Sequence, residues 1–233
     1  MISQQIYTDG EYLQNNPNWH VEDSPWKAQQ IIKIITQNKL SPNTICEVGC
    51  GAGGILQQLQ KNMSTDCKFW GYDISLQAIE FCQIHSNENL QFEIADITQK
   101  NAVFFDMILV IDLLEHLEDY FSLLRNIKCK SKYKIFHIPL DISVQSVLRQ
   151  HPIIELRKSV GHIHYFTKET ALEFLKDSGY ELLDYFYTAG YVELPAKSIR
   201  NHIARIPRKV FYSIHQDLAV RVLGGYSLMI LAR

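Results

Sequence analysis

The stretch CEVGCGAGGIL, Cys46 to Leu56, sets four glycines among six residues, behind one short apolar run and ahead of another. Glycine tolerates positive φ and carries no side chain, so such a turn lets a ligand approach the main chain closely. Gly49, Gly51 and Gly54 satisfy G-x-G-x-x-G, while Glu47, Gly49, Gly51 and Gly53 satisfy E-x-G-x-G-x-G; Cys50 stands between the first two. Three acids give the turn chemical meaning. Glu47 precedes the glycines, where a carboxylate would face a cationic group. Asp73, in GYDIS about twenty residues on, suits acceptance from two ribose hydroxyls. Asp96, in EIADI, could accept from an adenine amino group.

Histidines supply the other reactive groups. His116, in DLLEHLED, is a candidate base with an unperturbed pKa of about 6.5. In HIHYFT, an extended segment would put His162 and His164 on one face, with Tyr165 beside them. No Cys, Asp or Glu completes a metal shell at a familiar spacing, so no metal is expected there. NPNWHVEDSPWKA concentrates Trp19, His20 and Trp26 in an otherwise polar stretch, which reads as a lid over the site.

These residues need a scaffold that brings strand ends together. Ser24-Pro25 starts a helix running to about residue 39. TICEVG, KFWGYD, LQFEIAD, FDMILVID and YKIFHIP read as strands. Helices lie between them from Gly53 to Asn62, over SLQAIEFCQIH and from Glu118 to Lys128. Strands apolar on both faces, alternating with helices, predict a parallel sheet covered on both sides. Thr167 caps a further helix that Gly179 ends, and YELLDYFYT and YSLMILAR follow as two strands. Between those strands lies an insertion, about residues 190–223, with Lys197, Arg200, Arg205, Arg208, Lys209 and Arg221 on what reads as a basic face.

The chain has 233 residues and a net charge of −2, which suits one α/β domain and excludes the global basic field of a nucleic-acid binder. Residues 1–40 form its lid and first helix, 44–140 a cofactor half, and 141–233 an acceptor half. Five cysteines without a C-x-x-C pair fit reduced thiols. With no leader-like start and no membrane-length apolar run, a cytoplasmic location is expected.

Adenosine plus a cation fits S-adenosylmethionine better than NAD, whose pyrophosphate Glu47 would repel. EVGCGAGG, GYDIS, ADI, DMILVIDLLEHLED and, more loosely, HIHYFTKETALEFLKDSGYEL then carry a resemblance to the class I S-adenosylmethionine-dependent methyltransferases. The nearest branch is the small-molecule one containing the ubiquinone-pathway enzymes. The resemblance spans about residues 44–187 and implies a Rossmann-like seven-stranded sheet, mostly parallel with an antiparallel last strand.

It further implies that Gly49, Gly51 and Gly53 pass under the methionine moiety and that Asp73 holds the ribose. Ile74 would flank the adenine and Asp96 with Ile97 receive its edge, while Ile111, Asp112 and Leu113 line the methyl region. S-adenosylhomocysteine is the implied product. His162, His164 or Tyr165 would meet a small-molecule acceptor, and the basic insertion with Arg149, Arg157 and Lys158 points to an anionic or lipid-linked one. O-methylation is read slightly ahead of N-methylation. A nicotinamide-dependent oxidoreductase and a non-catalytic binding module remain the alternatives.

Overall fold

The computed structural model describes residues 19, 21–100, 103–149, 151–195 and 199–233, without the side chains of 199–204. His20, Lys197 and the Arg200 side chain, named above, lie outside the described residues, as does most of the expected lid. Helix α1 spans Ser24–Gln37 and leads into β1, Thr44–Val48. Then come α2 (Gly54–Asn62), β2 (Lys68–Asp73), α3 (Leu76–Gln83), β3 (Leu90–Ile94) and β4 (Phe105–Ile111). After α4 (Tyr120–Ile127) and β5 (Ser131–Pro139) run α5 (Val144–Arg149), α6 (His151–Ser159) and α7 (Lys168–Asp177). The chain closes with β6 (Leu182–Thr188), α8 (Gly190–Glu193), α9 (Ile199–Ile214), α10 (Gln216–Leu223) and β7 (Ser227–Ala232).

The expected starts and stops are in place. Pro25 occupies the first turn of α1, Ser75 Oγ accepts from Ala78 N, and Thr167 forms a reciprocal capping box with Thr170. Gly179, at φ +83°, takes the left-handed conformation that ends α7.

The seven strands form one sheet in the order β3-β2-β1-β4-β5-β7-β6. β1 to β5 pair in parallel, and β7 runs antiparallel to both β5 and β6. Separate apolar clusters fill the two faces, one around Phe136, Ile108 and Leu124, the other around Ile31, Leu56 and Met107. After β3 the chain crosses back over β1, so the carboxyl ends of β1 and β4 diverge. An open α/β sheet binds its ligands at such a crevice, and Gly49 and Asp112 stand at its two lips.

The insertion departs from expectation. Part of its basic side turns inward: the guanidinium groups of Arg205 and Arg208 lie 5.9 and 4.9 Å from the Tyr191 ring centre. Arg221 pairs with Asp217 and Glu169. Toward solvent α9 shows an apolar stripe, Ile206, Val210 and Ile214, beside the exposed Lys209.

Candidate functional site

A cavity of about 660 Å³ opens at the crevice. Among the residues singled out in the sequence, Glu47, Gly49, Cys50, Gly51, Asp73, Ile74, Asp96, Ile111, Asp112, Leu113 and His116 line it. Trp19 lines it too, its ring close to where a Gly51 side chain would begin, 3.6 Å away.

The glycine loop is built from β1 and β2 together. Gly49 N and Cys50 N donate to the Tyr72 carbonyl, and Gly51 N donates to Asp73 Oδ2 at 2.9 Å. Ser75 N donates to the other Asp73 oxygen at 2.8 Å. Burial pushes the Asp73 carboxyl up, against these backbone donors. Its oxygens keep lone pairs for a ligand's hydroxyls. Asp96 accepts from Thr98 N at 2.8 Å and so caps the short turn after β3 while still facing the cavity.

Gly53 and Ile97 are exceptions among the expected ligand contacts. Neither lines the cavity, and Ile97 is buried in the core. Gly53 has φ +74°, and a Cβ there would lie 2.5 Å from the Phe92 ring and 2.8 Å from Cys82. Its missing side chain makes room for the protein's own core. Gly53→Ala is expected to lower stability by about 3 kcal/mol, combining left-handed strain and overpacking. Thermal denaturation tests this; an unchanged Tm would mean that Phe92 yields freely.

Glu47 is buried and its Oε2 has no hydrogen-bond partner among the described residues. Burial raises its pKa well above the usual carboxylate range, an effect that the nearby Lys27 ammonium only partly offsets. A cationic ligand group is what such a carboxylate lacks.

Asp112 is less available than the sequence suggested. It follows β4 at φ +49°, a strained conformation for a non-glycine residue. Lys27 Nζ of α1 pairs with one oxygen at 2.8 Å, and His137 Nδ1 of β5 meets the other at 2.6 Å. His137 Nε2 continues to Thr188 Oγ1 of β6 at 2.8 Å. Burial opposes ionisation of Asp112, but His137 and Lys27 outweigh it and hold the carboxyl far below its ordinary range. Trp26 closes the same corner, its indole N–H donating to Glu193 at 2.7 Å. Nothing in local sequence announced Lys27, His137 or Thr188 as site residues.

A second cluster stands farther along the cavity. Glu115, His116 and His162 line it, with ligand-capable atoms all within 4.8 Å of one another. Main-chain bonds from Ile163 N and His164 N to the Glu115 carbonyl dock the histidine segment here. His116 Nδ1 meets the Gly161 carbonyl at 3.2 Å, and His162 Nδ1 meets Asp141 Oδ2 at 2.7 Å. Each contact makes Nδ1 the donor and turns Nε2 toward Glu115 Oε1, at 3.8 and 4.0 Å. Glu115 is fully buried, and among the described residues neither oxygen has a hydrogen-bond partner. Burial, reinforced by Asp112, raises its pKa well above the usual range. A buried carboxylate in this position calls for a proton or a cation. The carboxylate that the histidines lacked in sequence is thus supplied by the fold, and two imidazoles with one carboxylate could hold a divalent metal.

His164 and Tyr165 lie elsewhere. The segment is a loop and not a strand, so alternate residues do not share a face. His164 packs edge-on against Tyr120 with ring centres 4.9 Å apart, and Tyr165 donates to the His162 carbonyl at 2.9 Å. Neither lines the cavity.

Comparison with known proteins agrees with this geometry. Residues 26–185 match the family described as "Methyltransferase domain". Over 114 residues the chain is 26% identical to the "Ubiquinone biosynthesis O-methyltransferase" of Vibrio parahaemolyticus serotype O3:K6 (strain RIMD 2210633), covering 45% of this chain and 46% of that one. The alignment thus spans about half the length of the curated relative.

Among solved structures, the N-methyltransferase NodS from Bradyrhizobium japonicum WM9, in complex with S-adenosyl-L-homocysteine, superposes with a TM-score of 0.60 at 17% identity over 96% of this chain and 94% of that one. The magnesium protoporphyrin IX methyltransferase ChlM from Synechocystis PCC 6803, with bound SAH, gives 0.58 at 14% identity over 89% and 81%. Among the described residues no helix is long and apolar enough to cross a membrane. With the family matched over more than half of the chain and the fold shared with these neighbours, the chain belongs to the methyltransferase-domain family and has the class I S-adenosylmethionine-dependent methyltransferase fold.

Proposed function

We propose that the protein transfers the methyl group of S-adenosylmethionine to a hydroxyl of a small-molecule acceptor, leaving S-adenosylhomocysteine. The observation that carries this reading is the buried, half-unpartnered Glu47 carboxylate beside a glycine loop whose main chain faces the cavity. Glu47 fits the cofactor's cationic end, Asp73 its ribose hydroxyls, and Ile74 with Asp96 its adenine. Ile111 and Leu113 line the region between cofactor and acceptor. Bound S-adenosylmethionine supplies an electrophilic methyl group on a sulfonium.

The chain's task is then to align the acceptor, exclude water and receive a proton. Alignment alone can contribute about 7–11 kcal/mol to such a barrier. Trp19 covers the glycine loop. Glu115, His116 and His162 are the proton-accepting groups on the acceptor side, and their presence favours a hydroxyl, which must lose a proton, over an amine. A divalent cation held by the same three residues is a second reading, favoured by ligand-capable atoms that all lie within 4.8 Å of one another. Activity lost to EDTA and restored by manganese or zinc would establish it; activity indifferent to EDTA would leave the acid–base reading alone.

Calorimetric titration with S-adenosylmethionine, S-adenosylhomocysteine, NAD and NADP tests the cofactor. The first two are expected to bind and the nicotinamides to stay silent. The sulfonium cofactor should also release protons, read from buffer-dependent enthalpies, as a cation beside Glu47 draws its raised pKa down. Asp73→Ala should weaken binding about tenfold or more, the loss of charge-assisted hydrogen bonds. Binding of NAD or NADP alone, or an Asp73→Ala variant with full affinity, would overturn the reading.

A further inference from the structure

Helix α9 is amphipathic, yet it is mounted the wrong way round for a helix that merely covers a core. A surface helix ordinarily turns its apolar stripe inward. Here Ile206, Val210 and Ile214, spaced at i, i+4 and i+8, are 61%, 55% and 76% exposed. The inverted pose is held by named contacts. Arg208 donates to Gln145 Oε1 of α5 at 2.7 Å and to the Leu223 carbonyl at 3.2 Å. On the same inner side Tyr212 stacks on Tyr226, with ring centres 4.8 Å apart. The neighbouring α5 repeats the pattern with Val144, Val147 and Leu148, the last 78% exposed.

Charge identifies the kind of partner. Arg149, Arg157, Lys158 and Lys209 are exposed on α5, α6 and α9. Glu155 is the single acidic residue in the three helices, and it faces His151 at 3.2 Å. Protruding aliphatic side chains among uncompensated lysines and arginines are what an interfacial helix presents to an anionic lipid bilayer. A partner protein with an apolar groove would not require the excess of positive charge.

We propose that α9, with α5 and α6, docks the protein on an anionic membrane surface. Leu156 and Val160, at the end of α6, also line the cavity, so docking would set the cavity beside the lipid headgroups. The proposal stands apart from the methyl-transfer reading, since it requires neither cofactor nor turnover.

Vesicle co-sedimentation tests it. The protein should pellet with vesicles containing about one third phosphatidylglycerol and not with phosphatidylcholine alone, and high salt should weaken the binding severalfold. Ile206→Ser/Val210→Ser and, separately, Arg157→Glu/Lys158→Glu should each reduce binding about tenfold or more while Tm and S-adenosylhomocysteine affinity stay at wild-type values. Failure to pellet with anionic vesicles overturns the proposal, as does equal pelleting of the variants. A dimer that Ile206→Ser/Val210→Ser dissociates, with vesicles ignored, would instead make this face a contact between copies of the chain.

Discussion

Replacing Glu115 by glutamine is expected to reduce methyl transfer by about two orders of magnitude while changing cofactor affinity no more than about threefold. The first figure is the lower range for losing a positioned acid–base group. The substitution keeps shape and volume, so the core under the short turn at 114–116 should hold. What it removes is the acceptor toward which His116 Nε2 and His162 Nε2 are both turned. Cofactor affinity should be spared because Glu47, Asp73 and the glycine loop keep their own side chains and main-chain bonds in this variant. Single-turnover rates with saturating cofactor, beside calorimetric affinities, separate the two effects. Unchanged turnover with a lowered Tm would reduce the cluster to a structural role.

The second large effect is on stability. Lys27→Met should destabilise the protein by about 3 kcal/mol and weaken cofactor binding with it. Removing one member of a buried ion pair typically costs about 3–5 kcal/mol, and the partly open Asp112, 26% exposed, argues for the low end. Asp112 would keep His137 but lose the ammonium that ties α1 to β4. Glu47 would lose the cation that partly offsets its burial. Lys27→Met combined with Asp112→Asn should recover part of the loss, giving a double-mutant coupling of the sign expected for contacting groups. Chemical denaturation of the four forms measures it; strict additivity would show that the latch carries no energy.

Both effects hang on residues that differ in how far sequence could find them. Glu115 stands beside His116 in the sequence, where nothing local announces its burial against a second histidine. Asp141 completes its surroundings from the loop after β5, and His162 arrives from beyond α6. Lys27 looked like an ordinary polar position in α1. Its meaning depends on a strained aspartate at the end of β4, a histidine in β5 and a threonine in β6, three elements whose adjacency is a property of the sheet order. The reading of the histidine pair failed for a related reason, because period-two logic holds for a strand and residues 161–166 are a loop.

By itself the sequence determined the strand and helix alternation, the cap at Thr167, the glycine turn and the acids at the ends of β1, β2 and β3. Such features depend on residues a few positions apart, where periodicity and turn chemistry act. Only the tertiary structure decided that Gly53 serves Phe92 and not the cavity, that Asp112 is held between Lys27 and His137, and that the apolar stripe of α9 faces outward. Each of these outcomes was set by a neighbour far along the chain. A local pattern states what a side chain can do, while burial and partners brought together by the sheet decide what it does.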